Sequence, residues 1–157
     1  MKRISWTVLV LLLTTAGAAR ADMQGVPAVV DGDTLRLDGR LVHLYGVDAP
    51  ESAQMCQNRR GRDFDCGAIA RRTLDEIVGH SSVSCHEKYR DSRGDSVAVC
   101  KHGRADIGEQ IILQGWALAD PDTGAGYRRA QSAAQGMREG LWRLKFVPPW
   151  EWRAANH

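Results

Sequence analysis

The stretch from Val29 to Glu51, VVDGDTLRLDGRLVHLYGVDAPE, constrains the fold of this chain more than any other. Two short apolar strands meet at Asp38-Gly39, a dipeptide that suits the left-handed backbone of a tight hairpin turn. Asp33 precedes the first strand and Asp48 follows the second, so a hairpin brings the two carboxylates together. Carboxylates held together repel one another unless a cation lies between them, and a hard cation with oxygen ligands meets that need. The sequence therefore predicts a metal site built on a hairpin.

The N-terminus has the pattern of an export signal. Lys2 and Arg3 precede an uncharged run that ends in Ala19-Arg20-Ala21. A basic start, an apolar centre and a small-residue cleavage site predict a signal peptide over residues 1–21. A membrane anchor is the alternative, but the run is shorter than the ~20 apolar residues that a spanning helix needs. We expect a protein exported to the periplasm or the medium, with no membrane attachment after cleavage.

The size and charge of the mature chain limit its function. The 157 residues less the leader leave 136, which fits one compact domain over residues 22–157, and we expect a monomer. Removing the leader's three basic residues from a total of 21 leaves 18 against 19 acidic residues, a net charge of −1. This charge does not attract a polyanion by itself, so contact with nucleic acid requires a local basic patch.

Four cysteines in a small exported domain indicate disulfide bonds. Cys56 and Cys66 flank the polar loop QNRRGRDFD, and Cys85 and Cys100 each lie at the edge of a strand-like run. Of the three possible connectivities, we predict Cys56–Cys66 and Cys85–Cys100. A zinc site is disfavoured because no Cys-x-x-Cys pair is present.

The order of elements along the chain indicates its fold class. Apolar residues recur at helical spacing over 67–78, and strand-like runs at 83–85 and 97–100 flank the charged loop HEKYRDSRGDS. Asp106 caps a second helix, whereas Pro148-Pro149 excludes a helix near the C-terminus. Three strands, a helix, two strands and two helices predict an α+β protein, mainly a small barrel of five strands.

Five short motifs carry a resemblance to a known family. Together and in this order they resemble the thermonuclease (staphylococcal nuclease-like) family, and the four cysteines resemble its secreted bacterial branch. The resemblance covers nearly the whole mature chain. It implies a five-stranded OB-fold barrel with about three packed helices, and Ca²⁺-dependent cleavage of phosphodiester bonds in DNA or RNA. The motifs are Val30-Asp31-Gly32-Asp33-Thr34, Gly46-Val47-Asp48-Ala49-Pro50-Glu51, Gly115-Trp116-Ala117, Gly140-Leu141-Trp142 and Pro149-Trp150-Glu151-Trp152-Arg153.

The resemblance also implies roles for individual residues. Asp33 and Asp48 fall on calcium-ligand positions, Ala49 on a residue that offers its backbone carbonyl, and Glu51 on the proposed general base. Calcium accepts several oxygens at flexible geometry, polarises a phosphoryl oxygen and offsets the charge of the transition state. A carboxylate beside it can accept a proton from the attacking water. Asp31 is interpreted as a turn former, because Asp and Gly favour bends.

The chain departs from the family at the two arginines that the resemblance implies at the phosphate. His43 stands at the first position. An ungapped match puts Asp95 at the second, whereas a gapped match lets Arg93 supply the guanidinium. We favour the ungapped match because it keeps the register of the Val97 strand. Loss of one such donor costs on the order of 3 kcal/mol of transition-state stabilisation, so the departure bears directly on activity.

Other candidates for substrate contact are basic and aromatic. One cluster near the predicted cleft consists of Lys88, Tyr89, Arg90 and Arg93, and another consists of Tyr127, Arg128 and Arg129. Three arginines in the first cysteine loop, Arg59, Arg60 and Arg62, can contact a polyanion, although a solvated disulfide loop is the favoured explanation.

Two hypotheses follow. The first is a secreted Ca²⁺-dependent nuclease that uses Asp33, Asp48 and Glu51, with His43 or Arg93 at the phosphate. The second is a non-catalytic relative that binds an anionic polymer, either nucleic acid or polysaccharide, or an envelope protein.

Overall fold

A computed structural model describes residues 22–156 of the chain. The predicted signal peptide, residues 1–21, lies outside the described residues and remains a prediction. Among residues 22–156, no helix combines the length and the apolar character that crossing a membrane requires.

Seven strands form one curled, mixed sheet, a half-barrel of the OB type. Its order is β1-β8-β9-β4-β3-β2, with β10 added on β9. Neighbours are antiparallel except β4 and β9, which run parallel. Two short pairs, β5 with β11 and β6 with β7, lie outside this sheet. In chain order the strands are β1 (Asp22–Gly25), β2 (Ala28–Val29), β3 (Thr34–Leu37), β4 (Arg40–Leu44), β5 (Val47–Asp48), β6 (Met55–Gln57), β7 (Asp63–Asp65), β8 (Val83–Arg90), β9 (Ser96–His102), β10 (Ala105–Asp106) and β11 (Leu118–Ala119).

The predicted hairpin is present as β3 and β4. Its turn residues Asp38 and Gly39 both have positive φ, 47° and 79°, the backbone that matches the twist of the flanking strands. Leu35 and Val42 face each other across the hairpin and are fully buried. The turn and the apolar alternation together fix the register, because a slip of one residue would expose the whole apolar set.

Four α-helices pack on the half-barrel, and two are capped by aspartates at their N-termini. Asp65 accepts the N–H of Ala68 at 2.8 Å, and Asp106 accepts that of Glu109 at 3.1 Å, as predicted for the second. The apolar faces of α1 and α2 fill the main core against the sheet. The helices are α1 (Cys66–Val78), α2 (Ile107–Leu113), α3 (Arg128–Met137) and α4 (Pro149–Asn156), with 3₁₀ turns at Gly124–Tyr127 and Gly140–Arg143.

Both predicted disulfides are confirmed. Cys56 bonds Cys66, with Cα atoms 5.8 Å apart, and Cys85 bonds Cys100, with Cα atoms 4.0 Å apart. The first pair belongs to a second, smaller apolar cluster with Leu118 and Leu141, against which several tryptophans pack. This cluster supports the C-terminal part of the chain.

The structure corrects three details of the predicted fold. The described chain has eleven short strands rather than five, and four helices rather than three. The additional helix is α4, so the prediction that Pro148 and Pro149 exclude a helix was wrong. Pro149 is its first residue, where the missing N–H has no helical partner to lose. β8 also extends through much of the predicted charged loop, because β9 pairs with it as far as Arg90.

Candidate active site

Asp33 lies in the turn that leads into β3, and the packing of this turn fixes its position. A Cβ atom on Gly32 would lie only 2.6 Å from the Cβ of Ala49 and 2.8 Å from that of Ala70. Glycine therefore lets the turn pack directly against Ala49, whose N–H donates to Asp33 Oδ2 at 2.8 Å. Asp48 is the next residue back along the chain. The two ends of the hairpin stretch thus meet, as the sequence predicted.

Asp33 is a partly buried carboxylate with no cationic partner among residues 22–156. Its second oxygen, Oδ1, accepts the hydroxyl of Thr34 at 2.9 Å, and its own N–H donates to Asp31 Oδ1 at 3.2 Å. Burial raises the pKa of Asp33 well above its usual range, and the charges of Asp31 and Asp48 raise it further. The ionised form of Asp33 is therefore stabilised by added positive charge. The contact to its N–H agrees with Asp31 as a turn former.

Asp48 and Glu51 share one guanidinium, that of Arg153. Arg153 donates from Nη1 to Asp48 Oδ1 at 2.8 Å and from Nη2 to Oδ2 at 2.9 Å, a bidentate pair. The same Nη1 donates to Glu51 Oε1 at 2.7 Å. Burial still raises the pKa of Asp48, although the hydrogen bonds and charge of Arg153 oppose that rise. The contacts to Asp48 in turn raise the pKa of Arg153, which stays charged.

Arg153 is the site residue that the sequence analysis missed. It belongs to a motif that supported the resemblance, but 105 positions separate it from Asp48 and no local pattern links them. In the structure, Trp150 packs on the smaller apolar cluster, and Gln54 Nε2 donates to the Val147 carbonyl at 2.7 Å. These contacts fix the start of α4 close to the segment that carries the site carboxylates. The only indication of Arg153 in the sequence was that the last of the five motifs ends in this basic residue.

His43 adjoins the site through a single hydroxyl group. It lies on β4 opposite Thr34, whose Oγ1 is 3.0 Å from His43 Nδ1 and also contacts Asp33. On the other side of the ring, Nε2 faces the carboxylates of Asp91 and Asp95 at 4.0 and 3.9 Å. We refer to His43, Asp91 and Asp95 as the His43 cluster.

The structure brings Asp95, rather than Arg93, to His43. Arg93 lies in the turn between β8 and β9, where its side chain is 75% exposed and its Nε is 3.5 Å from Asp91 Oδ2. The β8–β9 hairpin pairs Arg90 with Ser96. Within residues 22–156, Arg153 is the arginine whose guanidinium contacts the predicted site carboxylates.

The three residues predicted to bind substrate occupy two different environments. Tyr89 is half-exposed and packs edge-on against Tyr45 with ring centroids 6.2 Å apart, while Lys88 Nζ lies 5.9 Å from the centroid of the same Tyr45 ring. Tyr127 instead donates its hydroxyl to the carboxylate of Asp106 at 3.1 Å. Burial and the charge of Asp106 raise the pKa of Tyr127. Tyr127 thus supports the cap of α2, whereas Lys88 and Tyr89 face solvent.

A groove lined by five arginines lies beside the first cysteine loop and has a volume of about 520 Å³. Arg143 is paired with Glu139 at 2.8 Å, but the other four have no carboxylate partner among residues 22–156. The tertiary structure therefore converts the three loop arginines into a local basic patch, the arginine groove, on a chain with little net charge. It is lined by Asn58, Arg59, Arg60, Arg62, Arg138, Arg143 and Leu144.

The carboxylates fit a hard divalent cation. Asp33 and Asp48 offer oxygen ligands, and burial destabilises their ionised forms. The charges of neighbouring carboxylates raise both pKa values further. A cation bound between them relieves that repulsion, and Ca²⁺ prefers this donor type. Ala49 adds a backbone carbonyl in the adjacent position of the chain. Arg153 is a competitor for Asp48, because it already engages both oxygens of that carboxylate.

Comparison with known proteins agrees with this geometry. A model of the staphylococcal nuclease homologue family matches residues 41–144. The chain is 33% identical over 147 residues to the succinoglycan biosynthesis protein ExoI of Rhizobium meliloti (strain 1021), an alignment that covers 92% of this chain and 77% of that protein. It is 27% identical over 162 residues to an uncharacterized endonuclease of Haemophilus influenzae (strain KW20 / Rd), covering 97% and 85% of the two chains. The chain therefore belongs to the staphylococcal nuclease homologue family.

Proposed function

We propose that this protein is a Ca²⁺-dependent endonuclease that hydrolyses phosphodiester bonds in DNA or RNA. The observation that carries the proposal is the meeting of Asp33 with the segment that bears Asp48 and Glu51, at the open end of the β3–β4 hairpin. Two of these carboxylates have raised pKa values, the state that a bound cation would relieve. The name of the Haemophilus influenzae relative, an endonuclease, supports the same reaction.

Each site residue has a distinct role in this proposal. Asp33, Asp48 and the carbonyl of Ala49 would hold Ca²⁺, which would polarise a phosphoryl oxygen and offset transition-state charge. Glu51 accepts the proton of the attacking water. Its side chain is one-third exposed and oriented by Arg153, so it is both accessible and positioned. Arg153 also brings a guanidinium beside the reacting group, which sequence analysis could not find at His43 or Asp95.

The arginine groove supports nucleic acid as the substrate class. Guanidinium groups bind phosphate oxygens in a bidentate manner, and four of the five arginines have no internal partner in the described chain. The groove lies on the loop that follows the Glu51 segment in sequence. A strand held there by its phosphates is positioned without sequence readout, as expected for an enzyme that cuts many sequences.

Digestion of nucleic acid by the untagged mature protein tests the proposal. Circular plasmid and single-stranded DNA are incubated with Ca²⁺ or with chelator at pH 6 and pH 9, and nicking of the circle reports internal cleavage. We expect Ca²⁺-dependent cleavage that falls by roughly 100-fold or more in Asp33→Ala/Glu51→Ala. Glu76→Ala, an exposed carboxylate on α1, is the matched control and should cleave normally. Equal cleavage by the double variant and the control would sink the proposal.

A non-catalytic binding protein is the second candidate. The observation that favours it is Arg153 itself, because this residue satisfies Asp48 and Glu51 without any metal. In that case the arginine groove binds an anionic polymer or an envelope protein while the carboxylates only stabilise the fold. Absence of cleavage together with salt-dependent retention of single-stranded DNA, lost in Arg59→Ala/Arg60→Ala/Arg62→Ala, would favour this candidate over the enzyme.

We also propose that the protein is exported, as the leader predicts. Two disulfides in a small domain support an oxidising compartment. Expression of the full chain with and without residues 1–21, followed by fractionation and mass measurement, tests this. Mature protein found only inside the cytoplasm with free thiols would contradict it.

A further inference from the structure

The His43 cluster has the composition and the spacing of a metal site. One ligand atom from each of His43, Asp91 and Asp95 lies within 4.8 Å of the other two. Among residues 22–156, no other three His, Cys, Asp or Glu side chains come this close. The cluster includes neither the carboxylates around Arg153 nor Asp33, so it is a site separate from the proposed calcium ligands.

The hydrogen bonds of Thr34 set the state of the imidazole. The Thr34 hydroxyl donates its single proton to Asp33 Oδ1, so its oxygen can only accept from the nitrogen 3.0 Å away, His43 Nδ1. The proton of a neutral His43 is thereby placed on Nδ1. The lone pair is left on Nε2, which is the arrangement of a histidine ready to bind a metal.

That lone pair has no partner in the described structure. His43 Nε2 is buried from solvent and makes no hydrogen bond. It faces Asp91 Oδ2 at 4.0 Å and Asp95 Oδ2 at 3.9 Å, too far for hydrogen bonds, and the neutral ring offers them no proton on that side. A buried acceptor atom facing two carboxylates is unfavourable unless a proton or a metal cation lies among the three.

We propose that the His43 cluster binds a first-row transition-metal dication such as Zn²⁺. One imidazole and two carboxylates form a donor set that suits Zn²⁺ better than Ca²⁺, which prefers oxygen alone. Zinc holds nitrogen and oxygen at about 2.0–2.2 Å, so tetrahedral ligands lie about 3.4 Å apart. The two distances from His43 Nε2 exceed that value by roughly 0.5 Å, and all three ligand atoms lie within 4.8 Å of one another, so side-chain rotations must draw them together.

Hydrogen bonds from the backbone also orient one of the proposed ligands, as outer-shell groups do in known metal sites. Asp91 Oδ1 accepts the backbone N–H groups of Arg93 and Asp95, both at 2.9 Å, which leaves Oδ2 for the metal, with only the exposed Arg93 Nε beside it at 3.5 Å. These donors and the charge of Arg93 lower the pKa of Asp91 although partial burial acts to raise it. Asp95 makes no side-chain hydrogen bond within residues 22–156, so its carboxylate is free to turn toward the ion.

The proposed metal would add positive charge next to the candidate active site. Thr34 joins the two places directly, because its hydroxyl contacts both Asp33 and the metal-binding imidazole. His43 and Asp95 are also the two positions where the resemblance implies arginines. The inference goes beyond the proposed function and does not depend on it, since metal binding can be measured without cleavage.

Titration of the untagged mature protein with Zn²⁺ or Co²⁺ tests the proposal. It is done in saturating Ca²⁺ by calorimetry and by the absorption of bound Co²⁺. We expect the protein to bind one equivalent of metal. The affinity should fall by about 100-fold or more in His43→Gln and Asp95→Asn, because removing a ligand weakens binding more than removing an outer-shell partner does. His86→Gln is the matched control, because His86 pairs with only one carboxylate, Asp22 at 2.7 Å. Asp48→Asn removes a proposed calcium ligand and should leave Zn²⁺ binding intact.

Thr34 is a positioning residue in this site, and its variant gives a readout that a purely structural role would not. Thr34→Val preserves shape but removes the acceptor for His43 Nδ1, so Zn²⁺ affinity should fall by about 10–100-fold. The ¹⁵N chemical shifts of the imidazole should also lose the Nδ1-protonated pattern. Thr34→Ser should restore both.

Three results overturn the proposal. They are no stoichiometric binding of Zn²⁺, binding that survives His43→Gln, and binding that is lost equally in His86→Gln. Cleavage by a protein that fails these tests would leave the nuclease proposal standing. Zinc binding by a protein that never cleaves would support this inference and contradict the nuclease.

Discussion

Two acidic clusters lie on either side of Asp33, and they balance their charge differently. Asp48 and Glu51 share the guanidinium of Arg153 through three hydrogen bonds of 2.7–2.9 Å. The carboxylates of the His43 cluster face an imidazole nitrogen at 3.9–4.0 Å without any hydrogen bond. The first cluster has a guanidinium in hydrogen-bond contact with both carboxylates, whereas the second has only the exposed Arg93, 3.5 Å from Asp91.

The negative charge of neighbouring carboxylates can thus be balanced by a side chain of the protein or by a bound cation. A guanidinium supplies a permanent charge and several donors, so the first cluster is stable without metal but resists one. A neutral imidazole supplies only a lone pair, so the carboxylates of the second cluster are balanced there when a proton or a metal cation enters. Substitutions in either cluster should therefore change stability and the response to metal differently.

Removal of Arg153 should cost the most stability. Arg153→Ala leaves Asp48, whose side chain is only 5% exposed, without its partner. Because Arg153 and Glu51 are about one-third exposed, we expect a loss of about 2–3 kcal/mol, below that of a fully buried pair. Urea unfolding in chelator measures it. Arg143→Ala, which breaks an exposed pair with Glu139, should cost less than ~1 kcal/mol. Equal losses in both variants would contradict the distinction between the clusters.

The same substitution should make the first cluster responsive to metal like the second. Without its competitor, Asp48 is free for Ca²⁺, so the ion should raise the Tm of Arg153→Ala more than that of the unmodified protein. Saturation to about 100 times Kd corresponds to about 2.7 kcal/mol. Thermal unfolding with Ca²⁺ and with chelator measures the difference. Arg153→Lys keeps the competing charge and should respond less. If Ca²⁺ raised the Tm of Arg153→Ala, Arg153→Lys and the unmodified protein equally, the ion would bind elsewhere than at Asp48.

Asp33 should reverse the usual effect of pH on a carboxylate. Its folded-state pKa is raised, so its contribution to stability is present at low pH and is lost as pH rises through that pKa. Asp33→Asn should therefore stabilise the metal-free protein at pH 8, by about 1 kcal/mol, with the gain vanishing toward pH 4. The amide can still accept the N–H of Ala49. Unfolding curves in chelator from pH 4 to pH 8 give the stability of the variant minus that of the unmodified protein. A difference that is smaller at pH 8 than at pH 4 would refute the prediction.

The smallest effect is expected in the metal-free His43 cluster. Asp95 is about one-quarter exposed and makes no side-chain hydrogen bond in the described chain, so Asp95→Asn should change stability by less than ~0.5 kcal/mol in chelator. With Zn²⁺ added, only the unmodified protein should gain Tm. A large loss in chelator would mean that the cluster is already satisfied without metal.

Much of the framework could be predicted because its causes are local. Positive φ at Asp38 and Gly39 follows from the residue types, and Asp106 caps a helix through a bond three residues away. The disulfide across β8 and β9 needs only an antiparallel hairpin. The α4 helix was not predicted, because Pro149 can either break or begin a helix and only the packing around it decides.

The hairpin, the Asp106 cap, the cysteine pairs and the approach of Asp33 to Asp48 could all be predicted from the sequence alone. Which cation reaches Asp48 depends instead on the folded chain, because a contact across 105 residues requires the packing of α4 and leaves no local pattern. The tertiary structure also decided that Asp95 faces His43, since the parallel pairing of β4 with β9 joins strands distant in the chain. Local backbone conformation depends on each residue and its near neighbours, whereas the partner of a charged side chain depends on how distant segments pack. For this protein, the chemistry of its site depends on those partners.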